Sequence, residues 1–317
     1  MTQSAAGGVG PHLVVTGAGG LIGSALLPSL TGAGYRVSRL TRRPHGPGAF
    51  PWDPLGGVLD LRQLGRIDGV VHLAGENIAK RWTPARKARI RDSRVRGTRL
   101  LSEALAALDP PPRVLVSASA TGIYGNRGSE LLSESSPPGD PDTDFLAAVC
   151  QAWEAAADPA RAAGIRVIHP RLGLVLSAHG GALGKLLPPF RLGLGGPQGN
   201  GSQWMSWIAI DDVISAVRHL IENERLEGPV NVTAPEPVVN RDFVRTLGQV
   251  LGRPTPFAVP ATVLRLALGE MANSTILASA RVHPAKLMQA GYRFEFPVLE
   301  PAFRHVLGGD PGTSFQA

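Results

Sequence analysis

Thr16-Gly17-Ala18-Gly19-Gly20-Leu21-Ile22-Gly23 sets Gly17, Gly20 and Gly23 at three-residue intervals near the start of this chain. That spacing suits a pyrophosphate. The first glycine permits a tight turn, the second lets the backbone approach the anion, and the third lets a helix pack on a strand, while the N–H groups of Leu21 and Ile22 open that helix unpaired. About twenty residues on, where a carboxylate would accept the 2′-hydroxyl of an NAD ribose, stands Leu40-Thr41-Arg42-Arg43. No acid there repels a 2′-phosphate, and two guanidiniums can bind one bidentately, which predicts NADP(H) as the cofactor. The competing readings are a structural turn for the glycines and a solvated surface pair for Arg42 and Arg43.

Such a loop needs a strand before it and a helix after it. From His12 the run Leu-Val-Val-Thr is short, apolar and β-branched, and it stops at the glycines as a buried parallel strand does. Leu21, Ile22, Ala25, Leu26 and Leu30 follow at helical spacing, and Gly32 and Gly34 close that helix before a second strand at Arg36 to Leu40. Apolar runs recur at Gly69 to Leu73, Arg113 to Ser117 and Arg166 to His169, with room for helices between them. The alternation predicts an α/β fold, a doubly wound parallel sheet of the NAD(P)-binding Rossmann kind.

After Pro170 the character changes. Gly180 to Gly201 is rich in glycine and proline and reads as loops and short helices; a helix from Asp211 to Asn223, a strand near Val230 to Thr233, a helix from Arg241 to Leu251 and a proline-punctuated tail complete the pattern. The expected division is a frayed start over 1–11, a nucleotide-binding domain over 12–175 and a smaller, irregular substrate-binding part over 176–317.

The 317 residues carry 32 Lys plus Arg against 25 Asp plus Glu, a net +7 that would suit a nucleic-acid partner if it were spread over a surface. It is concentrated instead. Lys80 to Arg99 holds nine basic residues against the single acid Asp92, leaving 23 basic and 24 acidic residues elsewhere. From Thr83 to Leu108 there is no aromatic residue to stack on a base, which argues against specific nucleic-acid recognition. Cys150 is the sole cysteine, so no intramolecular disulfide and no cysteine-built zinc site can form, and a reducing compartment is expected. Met1 to Pro11 lacks the basic and apolar regions of a signal peptide, and no run of about 20 apolar residues occurs. The expectation is a cytoplasmic protein with a small-molecule substrate, no metal and no membrane.

Thr16 to Gly23, the Val-Val-His-Leu-Ala-Gly-Glu-Asn run from Val70 to Asn77, Ser117 to Gly125, Pro188 to Pro197, Trp204 to Ile208 and Gly269-Glu270-Met271 together resemble the extended short-chain dehydrogenases/reductases. In particular they resemble the atypical NAD-dependent epimerase/dehydratase subfamily with its own small C-terminal domain, here about residues 254–305. The resemblance implies that Leu73, Ala74 and Gly75 lie along the cofactor and that Glu76 and Arg81 reach its ribose or phosphate. It also implies that Ser117 ends its strand beside the nicotinamide and that Pro170 faces the same ring. For Glu76 a capping or solvated carboxylate is the other reading. The basic segment resembles the long helix that in this superfamily packs against a second subunit, which would make a homodimer.

The family moves its proton with a tyrosine whose pKa is lowered by a lysine four residues later, helped by a serine or threonine hydroxyl. Tyr35, Tyr124 and Tyr292 are followed four residues on by Arg39, Gly128 and Phe296, so no such pair exists. The stretch that should hold it offers Phe145 or Leu146 for the tyrosine and Val149 or Cys150 for the lysine, and the hydroxyl position is Ala120. Two readings stay open. In one, an oxidoreductase or epimerase for a small carbonyl or sugar-like compound rebuilds its relay from Tyr124, Ser119 or Thr121, with Lys185 or His283. In the other, the chain is a non-catalytic NADP(H)-binding sensor or scaffold. Of the two tryptophans Trp204 and Trp207, one is expected in a pocket wall and one in the core.

Overall fold

The computed structural model describes residues 10–308. Residues 1–9 of the expected frayed start lie outside that range, while Gly10 and Pro11 lead directly into the first strand. Nine strands form one sheet. Across it run Gly228–Val232, Arg166–Leu172, Val114–Ser117, Gly69–His72, His12–Thr16, Arg36–Thr41, Ala49–Asp53 and Val58–Leu59. All neighbours are parallel except the last pair, and Ser119–Ala120 also pairs with Arg166–Leu172.

A parallel sheet is covered on both faces, and the strands are apolar for that reason. Helices Leu21–Gly32 and Ile210–Glu222 cover one face, where Leu26, Leu30, Val213, Val217 and Leu220 meet Leu13, Val15, Val71 and Val116. Helices Pro84–Ala106 and Asp158–Ala162 cover the other, where Leu101, Leu105 and Ala160 meet Val14, Val70, Leu115 and Val167. Each large apolar side chain so buried stabilises the fold by about 1.5–3 kcal/mol. The helix Pro84–Ala106 starts cleanly because Pro84 stands at its first position and the Thr83 hydroxyl accepts from the Arg86 amide at 3.2 Å.

Three expectations are corrected here. The strand Ala49–Asp53 is absent from the sequence reading because Pro51 interrupts it; near the sheet edge, with only Val58–Leu59 beyond, the missing N–H is tolerated. Gly181–Arg191 is one helix despite Pro188 and Pro189, since Leu183, Leu187 and Phe190 fall on one face and are buried. The chain also does not leave the sheet at residue 175: Ile210–Glu222 and Gly228–Val232 return to it, so that compositional break falls inside the sheet-forming part. Composition there reported the loops, and the later elements close the sheet.

Candidate cofactor and substrate site

The glycine loop is built as its spacing predicts. Gly17 has φ +69°, and a Cβ there would stand 2.6 Å from the Leu73 carbonyl carbon. A Cβ on Gly23 would meet the Gly17 backbone, with Ala18 Cα at 2.8 Å, so the helix packs flush on the turn. Gly20 caps that helix without a side-chain bond, and its first turn carries no acid. No carboxylate in that first turn competes with an anion for the N–H groups of Leu21 and Ile22. Their side chains do other work: Ile22 packs into the core, and Leu21 is covered by the Gly180–Gly181 turn.

The register Thr16↔Leu40 sets Thr41 level with Gly17, so Arg42 and Arg43 flank the glycine turn at the carboxyl end of the next strand. Both are exposed, and neither forms an ion pair among the described residues. On the other side, Thr16 ties the loop to Leu73–Gly75. Its Oγ1 accepts from the Leu73 and Ala74 amides at 3.2 and 3.3 Å and lies 2.7 Å from His72 Nδ1. With its oxygen accepting from two amides, the threonine proton goes to Nδ1, leaving Nε2–H of His72 to donate to Thr98 Oγ1 at 3.0 Å. That arrangement needs a neutral imidazole, and burial pushes the His72 pKa down to about 3.

Glu76 lies half-buried beside this segment, 3.5 Å from Arg86 Nη2. Gly17, Gly20, Leu21, Ile22, Arg42, Arg43, Leu73, Ala74, Gly75 and Glu76 thus gather at the carboxyl ends of three adjacent strands, where ligands bind in open α/β sheets. The residues present fit a dinucleotide: a cradle only glycines leave open, an anion-ready helix start and two free guanidiniums.

Of the other expected residues, Arg81, Tyr124 and Ser119 are bonded within the protein. Arg81 Nη1 donates to the Leu266 carbonyl at 2.7 Å, which ties it to the helix Ala261–Leu268. Ser117 ends its strand level with His72 and is fully buried, its Oγ without a hydrogen-bond partner among the described residues. Pro170 is buried mid-strand opposite Val230. Tyr124 and Ser119 belong to a buried network. The Tyr124 hydroxyl donates toward Asn231 Oδ1 at 2.7 Å and the Ser133 carbonyl at 3.0 Å, and accepts from Arg171 Nη1 at 3.0 Å. Ser119 Oγ donates to Glu154 at 2.7 Å. Burial pushes the Tyr124 hydroxyl pKa up, away from an acid's range. Its hydroxyl is consumed by packing, so the relay expected of this pair is not what the geometry offers.

Helix Phe145–Ala155 carries the residues that the resemblance offers in place of the tyrosine and lysine. Asp144 caps it through the Leu146 and Ala147 amides, and Leu146 and Cys150 turn toward the Ala120–Tyr124 segment. Burial raises the Cys150 thiol to about 12, so it stays protonated. Lys185 is spent on the Ala79 carbonyl at 3.0 Å.

The basic segment is largely consumed inside the molecule. Lys87 bridges to Glu270 at 2.8 Å, Arg96 donates to the Leu55 carbonyl, and Arg99 pairs with Glu103. Beyond the glycine loop, a cavity of about 620 Å3 opens between the 126–129 turn and helix Ala261–Leu268, lined by Asn126, Ser129, Asn200, Trp204, Arg265 and Ser279. Trp204 is the cavity wall, backed by Arg281 at 4.4 Å, while Trp207 is the fully buried core residue and donates to the Glu236 carbonyl at 3.0 Å. No helix among the described residues is long and apolar enough to cross a membrane.

Residues 13–233 match the NAD dependent epimerase/dehydratase family, and residues 259–306 match a domain of unknown function, DUF1731. The epimerase family protein Mb2239 of Mycobacterium bovis is 41% identical over 284 residues, 89% of this chain and 93% of that protein. The crystal structure of human epimerase family protein SDR39U1 (isoform 2) with NADPH is 33% identical, with a TM-score of 0.85 over 94% of this chain and 99% of that one. A nucleoside-diphosphate sugar epimerase from Corynebacterium glutamicum is 37% identical, with a TM-score of 0.77 over 95% of this chain and 59% of that one.

Proposed function

The chain belongs to the NAD dependent epimerase/dehydratase family, and from that premise we propose that it binds NADP(H) and acts as an oxidoreductase or epimerase on a small carbonyl or sugar-like compound. The observation that carries the cofactor is the free Arg42–Arg43 pair beside the Gly17 turn. The relative crystallised with NADPH supports the same choice. When bound, the cofactor supplies or accepts a hydride. Gly17 and Gly20 would admit its pyrophosphate to the helix start, Arg42 and Arg43 would hold the 2′-phosphate, and Leu73 to Gly75 would line it. The polar cavity walled by Trp204 and Arg265 is the place for the substrate, and the lone cysteine fits a reducing, cytoplasmic setting.

A specific observation favours the second reading, a non-catalytic NADP(H)-binding protein. Ala120 and Leu146 carry no titratable group, the Cys150 thiol holds its proton too tightly to donate it, and Tyr124 is packed away. Missing acid catalysis costs about 10²- to 10⁴-fold in rate. Titration by intrinsic tryptophan fluorescence is expected to show NADPH binding more tightly than NADH; equal affinity or tighter NADH removes the cofactor assignment. Following NADPH absorbance against ketones and aldehydes, and the conversion of nucleotide sugars to their epimers, then separates the two readings, since a reductase consumes NADPH and an epimerase, which regenerates its cofactor, changes only the sugar.

A further inference from the structure

Arg94 stands on helix Pro84–Ala106, its guanidinium wedged between the Gly75–Glu76 backbone and helix Phe145–Ala155. Its Nη1 donates to the carbonyl oxygens of Glu76 at 3.0 Å and Ile90 at 3.1 Å, and its Cζ lies 5.0 Å from the Trp153 ring centroid. A Cβ on Gly75 would come within 3.2 Å of that Cζ and 3.3 Å of Nη2, so the guanidinium lies in tight contact with the Gly75 backbone. Among the described residues Nε and Nη2 of Arg94 donate to nothing, and no carboxylate bonds the group. One turn from Trp153 stands Cys150, one of the two residues that the resemblance offers in place of the lysine, and the Arg94 charge is felt at its thiol.

We propose that Arg94 supplies, from a different helix, the cation that Cys150 cannot, and that its unclaimed Nε and Nη2 hydrogens hold oxygens of the cofactor's nicotinamide-side ribose. This role rests on the NADP(H) reading above. Gly75 belongs to the segment that Thr16 binds to the glycine loop, so a guanidinium lying against it borders the space a dinucleotide would fill. A planar fork with two free donor groups suits ribose oxygens. The same charge disfavours the positive ring of NADP+ relative to neutral NADPH. Arginine does not release its proton at ordinary pH, so Arg94 positions the cofactor and biases its redox state and is not the missing acid.

The experiment measures affinity for NADPH and NADP+ by tryptophan fluorescence, alongside melting of the cofactor-free full chain. Loss of a charged hydrogen bond predicts that Arg94→Met weakens NADPH binding about 10- to 100-fold and shrinks the preference for NADPH over NADP+. Arg94→Met with Cys150→Lys, which returns a cation from the facing helix, is expected to recover much of both. If Arg94→Met does not fold, Arg94→Gln, whose amide can still donate to a neighbouring carbonyl, carries the same expectation. A folded Met or Gln variant that binds both forms as the parent does overturns this role alone. A parent chain that binds no NADPH overturns the cofactor reading and this role with it.

Discussion

Arg171 grips Glu154 through two hydrogen bonds of 2.9 Å each, and its remaining Nη1 reaches the Tyr124 hydroxyl at 3.0 Å. Burial pushes the Glu154 carboxyl up, but the guanidinium fork outweighs it and holds the group below the usual carboxylate range. The pair joins the strand Arg166–Leu172 to helix Phe145–Ala155, and Tyr124 extends it to Asn231 on the edge strand. It is a structural brace under the site.

Tyr124→Phe is therefore expected to cost about 1–3 kcal/mol of stability, because Asn231 Oδ1 loses a buried donor. NADPH affinity should be unchanged. Urea unfolding and a fluorescence titration on the same variant test both halves, and lost affinity at unchanged stability would return Tyr124 to the cofactor site.

Arg171→Met should be more damaging, about 3–5 kcal/mol, since it strands the Glu154 charge with its side chain only 15% exposed. Arg171→Met with Glu154→Leu should recover most of that loss in the same unfolding measurement. If the double variant is no better than the single one, the ion pair is not the source of the effect.

Arg42→Ala with Arg43→Ala removes the charges next to the Gly17 turn without touching the core. NADPH binding should weaken about 10- to 100-fold, from hydrogen bonds to a charged group, while NADH binding stays level. Calorimetric titration with the two nucleotides decides it; an equal loss for both would point to general electrostatics.

Gly23→Ala places a methyl group into the Gly17 backbone. Helix Leu21–Gly32 must shift away from the turn, so cofactor affinity should collapse while far-ultraviolet circular dichroism stays near that of the parent. Retained affinity would mean that the helix start plays no part in binding.

Acid should loosen the fold from near neutrality. The folded His72 pKa, about 3, lies below its ordinary 6.5, so above 6.5 the group is neutral in both states and costs nothing. As pH falls from 6.5 toward 3, only the unfolded chain takes the proton, and stability drops by about 1.4 kcal/mol per pH unit from this residue. Burial lowers His12 and His169 as well, adding slope of the same sign. Chemical denaturation at pH 7.5, 6 and 5 should trace that decline, and His72→Asn should flatten it.

The glycine loop and the apolar strands from His12, Arg36, Gly69, Arg113 and Arg166 are legible in the sequence because turn chemistry and apolar runs are local. What escaped depended on tertiary partners. The residues from Phe145 to Cys150 could not be assigned to faces until Asp144 set the helix start and Gly122 met Leu146. Tyr124 reads as an acid beside a strand end, and only Arg171 and Asn231, distant in sequence, show its hydroxyl to be occupied. Arg81 looks like a phosphate ligand until Leu266 claims it, and Arg94 is one of nine basic residues whose placement against Gly75 has no sequence signal.

The bridge from Lys87 to Glu270 spans 183 residues, and the bond from Arg81 to Leu266 spans 185. Chains emerge from the ribosome at about 5–20 residues per second, so the loop-bearing half waits roughly 10 to 40 s for the strap that crosses it. During that interval the glycine turn and its strands can form while the flank they share with helix Ala261–Leu268 stands open. The Gly17 turn and its neighbouring strands are thus assembled before the segment that ties down their flank exists.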